Sequence, residues 1–184
     1  SDAPYIGLLG SRRRGAAMGR RPSNLPLTHG VLHLHLGDPL RIHRTGDGDA
    51  STVTTVIAEL RDGRFPGIVG VGEGYPDRFY GETPETMAAV FPYLLSLADD
   101  FSGALTDPAA ARAALETLGR AWDDNLRWNG GAKCALDIAV HDLAGKVLGL
   151  PVHRLLDLPS AIPPTDFTIG MHEPGIAPEL AARA

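Results

Sequence analysis

Residues 67–74, GIVGVGEG, place Gly70, Gly72 and Gly74 on one side of an extended chain and Val69, Val71 and Glu73 on the other. A strand stripped to glycine on one face admits another backbone, or a ligand, at a distance that side chains forbid. A second set of small residues follows. Ala132, Ala135, Leu136, Ala139, Val140, Leu143, Ala144 and Val147 recur at i, i+3, i+4, i+7 spacing, which predicts a helix that neighbours can approach closely. Asn129 or Gly130 opens that helix. Gly149 supplies a left-handed terminal residue, and Pro151 bars continuation. A short second helical turn comes next, and then a strand in TDFTIG at 165–170.

Upstream, Leu32, Leu34 and Leu36 alternate with His33 and His35, which predicts a half-buried strand from His29, interrupted at Gly37-Asp38-Pro39. Residues 41–50, RIHRTGDGDA, read as a flexible loop. Val56, Ala58 and Leu60 alternate with Thr55, Ile57 and Glu59 in a second strand over 51–60, and residues 61–64 turn the chain toward the glycine strand. Three strands with short connections suggest an antiparallel meander. Thr83-Pro84-Glu85-Thr86 carries a start signal for a helix to about Leu97, and Asp107-Pro108 one for a helix to about Trp122. The fold class is therefore α+β, a three-stranded antiparallel meander followed by a helical bundle.

The net charge of -5 over 184 residues gives no pull toward nucleic acid. Arg12, Arg13, Arg14, Arg20 and Arg21 cluster among Gly, Ser, Pro and Ala without periodicity, so residues 1–28 read as a mobile basic leader, with Met18 inside it. No run of about 18 apolar residues offers a membrane span, and no apolar segment follows the arginines as a secretory signal requires. The single cysteine, Cys134, forms no internal disulfide, which fits a reducing cytoplasm, and its place on the long helix predicts a buried small hydrophobe.

Four segments together resemble the enolase superfamily, in its muconate-lactonizing subgroup: PLRIHRTG at 39–46, GEGYPDRFYGET at 72–83, residues 129–156, and PPTDFTIG at 163–170. Within that subgroup the chain looks most like the dipeptide epimerases, from about His29 onward. The resemblance implies an enolase-type capping domain over 29–160. It implies that 161–184 hold the first strand and helix start of a TIM-like (β/α) barrel. It also implies chemistry: Mg²⁺ on three carboxylates stabilises an enediolate, while one lysine removes the proton beside a carboxylate and a second returns it on the other face. Such a barrel takes roughly 250 residues, so the magnesium ligands and the catalytic lysines are expected beyond residue 184. Lys133 and Lys146 stand in the cap helix, outside any K-x-K motif.

The resemblance also picks out substrate-binding candidates. Arg44 lies in the first cap loop, where its guanidinium fork suits a carboxylate. Asp47 and Asp49 follow it and would select a cationic dipeptide instead; both readings stand open. Tyr75 and Tyr80 lie in the second cap loop, and Thr168 on the first barrel strand. Glu73 reads as a structural acceptor at the cap–barrel boundary, and Glu82 with Thr83 as a cap on the following helix. Asp137, His141 and Asp142 read as a structural set locking the helix to the barrel, and His33 and His35 as a solvated face. Asp166 reads as structural, and His172 and Glu173 as rim residues. The expected partner is a small carboxylate, a dipeptide or a relative of one, in a full-length protein that is a homo-oligomer. Muconate cycloisomerase, succinylbenzoate synthase and a non-catalytic cap module are the competing functions.

Overall fold

The computed structural model describes residues 25–40, 50–98, 100–164, 175 and 177–183. Three strands come first: β1 (Leu27–Leu40), β2 (Ala50–Arg61) and β3 (Val69–Gly74). Their order in the sheet is β1-β2-β3. β2 and β3 run antiparallel, with Val56 opposite Gly74 and Arg61 opposite Val69. Helices follow: α1 (Pro84–Leu95), α2 (Pro108–Asn125), α3 (Gly130–Leu148), the single turn α4 (Val152–Leu155) and α5 (Ala177–Arg183). The meander and the helices that follow it are thus the α+β arrangement the residue pattern predicts.

Chain contacts divide the molecule into two units. One takes residues up to 32 and 55–160, the other 33–54 and 161–184. The first unit carries the core. Its centre is the seating of α3 on the glycine face of β3. A Cβ added at Gly72 would strike the Ala135 carbonyl and lie 2.6 Å from Ala139 N; one at Gly70 would lie 2.6 Å from Leu143 Cβ. No side chain fits between these backbones, so glycine is the sequence's means of bringing strand and helix together. The α3 stripe from Ala132 to Ala144 is buried as predicted, and so are Val56, Ala58 and Leu60 of β2.

α3 also covers the outer edge of β3. Val71 N donates to Asp142 Oδ2 at 2.8 Å, and Lys146 Nζ donates to the Val69 carbonyl at 2.8 Å and to Asp142 at 2.6 Å. Asp142 therefore ties the helix to the sheet of its own unit. Beside it, His141 Nδ1 lies 2.8 Å from the Asp137 carbonyl. Cys134 corrects the expectation of burial. It falls off the apolar stripe, is exposed, and donates its thiol to the Glu73 carbonyl at 3.8 Å. Partial burial pushes that thiol up, and the nearby carboxylates of Asp137, Glu73 and Glu82 add to the effect, so it is a poor nucleophile.

The helix starts follow their signals. The Thr83 hydroxyl accepts from Thr86 N at 3.3 Å, and Thr86 Oγ1 accepts from Thr83 N at 2.8 Å, closing a capping box at α1. Asp107 Oδ1 accepts from Ala109 N and Ala110 N at the head of α2, and the Ala110 bond leads in holding its carboxyl below the usual range. Trp122, 2% exposed, donates Nε1 to the Leu94 carbonyl at 2.9 Å and joins α2 to α1. Arg112 reaches the Leu155 carbonyl at 3.0 Å and fastens α4. In the turn between β2 and β3, Asp62 accepts from Arg64 N at 2.7 Å.

Two boundaries and one burial differ from the sequence reading. β1 continues through Gly37-Asp38-Pro39, because among the described residues it borders only β2, and an edge strand tolerates a residue without an N–H. Leu34, expected toward the core, is 39% exposed. Leu25, within the stretch read as leader, is 2% exposed in the core, and the Pro26 carbonyl accepts from Arg61 N at 3.1 Å. Residues 1–24 lie outside the described residues.

In the second unit the ends of β1 and β2 are linked by His33 Nδ1, 2.9 Å from Thr54 Oγ1. His33 is exposed, as a solvated face requires. His29 belongs to the first unit, where its ring meets Phe91 edge-on at 5.9 Å. Burial lowers the His29 pKa from 6.5, so the folded state prefers the neutral ring. The unfolded chain then binds the proton more readily, and stability is full above the unfolded pKa and falls as pH drops below it. We expect the unfolding midpoint to decline between about pH 7 and 5, and His29→Phe to flatten that part of the profile. An unchanged slope in the variant would remove His29 as its source.

Candidate functional site

Within the first unit, residues 75–82 form a compact loop with three aromatic side chains facing outward. Asp77 precedes a 3₁₀ turn at Arg78–Tyr80, and its Oδ1 accepts from Phe79 N at 2.9 Å. Its carbonyl accepts from Tyr80 N at 3.0 Å and Glu82 N at 3.1 Å, and Asp77 N donates to the Tyr75 carbonyl at 3.1 Å. Gly81 closes the turn at φ 79°, a left-handed angle that favours glycine. This internal bonding fixes the backbone and leaves Tyr75 54%, Phe79 66% and Tyr80 57% exposed. Phe79 and Tyr80 meet edge to face, 5.0 Å between centroids.

Such a surface has one evident capacity. Held aromatic faces pack on an apolar or aromatic group, or on a cation, without losing much freedom of their own. The two tyrosines singled out in the sequence therefore stand together in one ordered loop. Phe79, between them, was missed; it stands in the same DRFYGET segment, one residue before Tyr80. Arg44, Asp47 and Thr168 lie outside the described residues, as do Asp49, Asp166, His172, Glu173 and the strand expected at 165–170.

The loop ends at Glu82, and here the expectation of a cap on α1 is corrected. Thr83, boxed with Thr86, caps α1 without Glu82. Glu82, 5% exposed, instead accepts from Gly131 N at 3.0 Å and Ala132 N at 3.2 Å, the first turn of α3. Glu73 is exposed, and its carbonyl receives the Cys134 thiol.

Among the described residues no group of three or more His, Cys, Asp or Glu could hold a metal ion. The set Asp137, His141 and Asp142 is spent on helix and sheet bonds. The described residues thus do not fit a magnesium site. Among them, too, no helix is long and apolar enough to cross a membrane.

Comparison with known proteins agrees with this architecture. Residues 31–157 match the family of the mandelate racemase / muconate lactonizing enzyme N-terminal domain. The L-Ala-D/L-Glu epimerase of Bacteroides thetaiotaomicron is 34% identical over 114 residues, 61% of this chain and 27% of the relative. The hydrophobic dipeptide epimerase of Enterococcus faecalis is 32% identical over 134 residues, 73% of this chain and 35% of the relative. The solved dipeptide epimerase of Methylococcus capsulatus, complexed with Mg and L-Arg-D-Lys, superposes with TM-score 0.61 at 26% identity, covering 88% of this chain and 41% of that one. The chain spans about a third of the length of the curated relatives it matches. Its glycine-faced meander, the α3 seated on it and the matched stretch belong together: the chain is a member of the mandelate racemase / muconate lactonizing enzyme family, of which it carries the N-terminal domain.

Proposed function

We propose that this chain is the substrate-covering part of a magnesium-dependent dipeptide epimerase. The observation that carries the proposal is that three curated relatives, 31–34% identical over this region, are all named as epimerases of dipeptides or of an L-Ala-linked amino acid. The reaction moves one proton. It leaves the carbon beside a carboxylate on one face and is returned on the other, so substrate and product differ only in handedness. We assign the proton-transferring lysines and the magnesium ligands to the full-length protein outside these residues. The contribution of this chain is binding and exclusion of water. Its loop at 75–82 would press Tyr75 and Tyr80 against the substrate's side chain, Arg44 or Asp47 would read that side chain's charge, and Thr168 would meet the substrate from the barrel strand.

The test is α-proton exchange in deuterated water, followed by NMR, with the full-length protein, added Mg²⁺ and a panel of acidic, cationic and apolar dipeptides. Exchange at one α-carbon with at least one dipeptide is expected. None with any of them would remove the assignment in favour of cycloisomerisation or dehydration. Tyr80→Ala is expected to raise KM about tenfold, the worth of roughly one lost aromatic contact, with kcat nearly unchanged. Arg44→Ala and Asp47→Ala decide the charge preference. The first should weaken acidic dipeptides if Arg44 pairs with them, the second cationic ones if Asp47 does.

A further inference from the structure

The first backbone N–H groups of a helix have no partner within it. At α3 the residue in the capping position, Asn129, has φ 58° and offers no side-chain cap. The carboxylate that takes Gly131 N and Ala132 N arrives instead from Glu82, across 49 and 50 positions of chain. The opposite end of the same loop rests on the same helical turn. A Cβ added at Gly131 would stand 2.5 Å from the Tyr75 carbonyl and 3.2 Å from the Glu82 carboxylate. Residues 75 and 82 are therefore both seated at Gly131, and the three exposed aromatics lie on the short span between them.

We propose that Glu82, seated beside Gly131 on the first turn of α3, is a positioning residue that fixes the aromatic loop at 75–81 and through it sets how tightly substrate is held. The effect on substrate rests on the reading of that loop given above; the fixing of the loop does not. A charged acceptor aimed at two N–H groups at a helix start is a strong tether. A glutamine at 82 keeps one carbonyl acceptor and an alanine keeps none. An alanine at Gly131 favours the helix as such, so any loss it causes comes from pushing the Tyr75 carbonyl away and crowding the Glu82 carboxylate against it.

Hydrogen–deuterium exchange on the full-length protein reads the tether directly. In Glu82→Ala, amides 77–81 are expected to exchange at least tenfold faster, with β2 and α2 unchanged; Glu82→Gln should fall between the variant and the parent. Gly131→Ala should loosen the same amides with Glu82 intact. With the dipeptide that the parent turns over best, both alanine variants are expected to raise KM about tenfold while kcat stays within about threefold, the mark of lost binding common to ground and transition states. Unchanged exchange at 77–81, or equal loosening of β2 and α2, would overturn the proposal, as would a fall in kcat at constant KM. Where Glu82→Ala does not fold, Glu82→Gln and Gly131→Ala carry the test, and unchanged exchange in both overturns it. Should the parent exchange no dipeptide proton at all, the epimerase reading fails while amide exchange still decides the tether.

Discussion

Gly72→Val is expected to destabilise the protein by about 3 kcal/mol or more, at or above the upper end of what overpacking costs. Two effects oppose each other. Valine is a better strand former than glycine, worth up to about 1 kcal/mol in favourable settings. Against that stands the Ala135 carbonyl, which a Cβ at this position strikes, with Ala139 N 2.6 Å away. Both obstacles are backbone atoms of a buried helix, so neither moves without dislodging α3 from the sheet. The steric effect should win, and with domains stable by about 5–15 kcal/mol it consumes a large part of the total. Gly63 is the control, because nothing lies within 4 Å of a Cβ placed there. Denaturant unfolding of Gly72→Val and Gly63→Ala should show a large fall in midpoint for the first and little change for the second. A midpoint for Gly72→Val at or above the parent's would refute the account of the glycine face.

Trp122→Ala should cost about 3–5 kcal/mol, the range for removing a large buried aromatic. Its indole fills space between α1 and α2, and its N–H is the direct bond from α2 to the Leu94 carbonyl. Trp122→Phe separates the two contributions. It keeps most of the volume and removes the donor, and should lose about 1 kcal/mol for the bond plus a smaller packing term. Equal losses for the two variants would mean that the bond, and not the volume, holds the helices together.

The features legible in the sequence share a property: their signal and their consequence lie close together in the chain. The β3 alternation, the α3 stripe and the Thr83 and Asp107 caps each declare themselves within a few residues, and the structure carries them all. What sequence reasoning missed depends on partners far away. Glu82 stands next to Thr83 and reads as part of the same helix start. Only tertiary structure brings it to Gly131. Cys134 reads as buried from its place on the long helix, but the buried stripe runs through its neighbours Ala135 and Leu136 instead. Pro39 reads as a strand breaker until the strand is known to lie at a sheet edge. The aromatic loop was half legible. Tyr75 and Tyr80 were found through family likeness, while nothing local marks Phe79 as their equal in exposure.

The side chains that α3 lays along β3 have a bearing on how this molecule behaves among its neighbours. An uncovered rim of a sheet invites a stranger's strand to zip on, and so seeds fibrils. Here the Val71 amide and the Val69 carbonyl are already engaged by Asp142 and Lys146. A visiting peptide would have to displace an ionic lock before it found a place to dock.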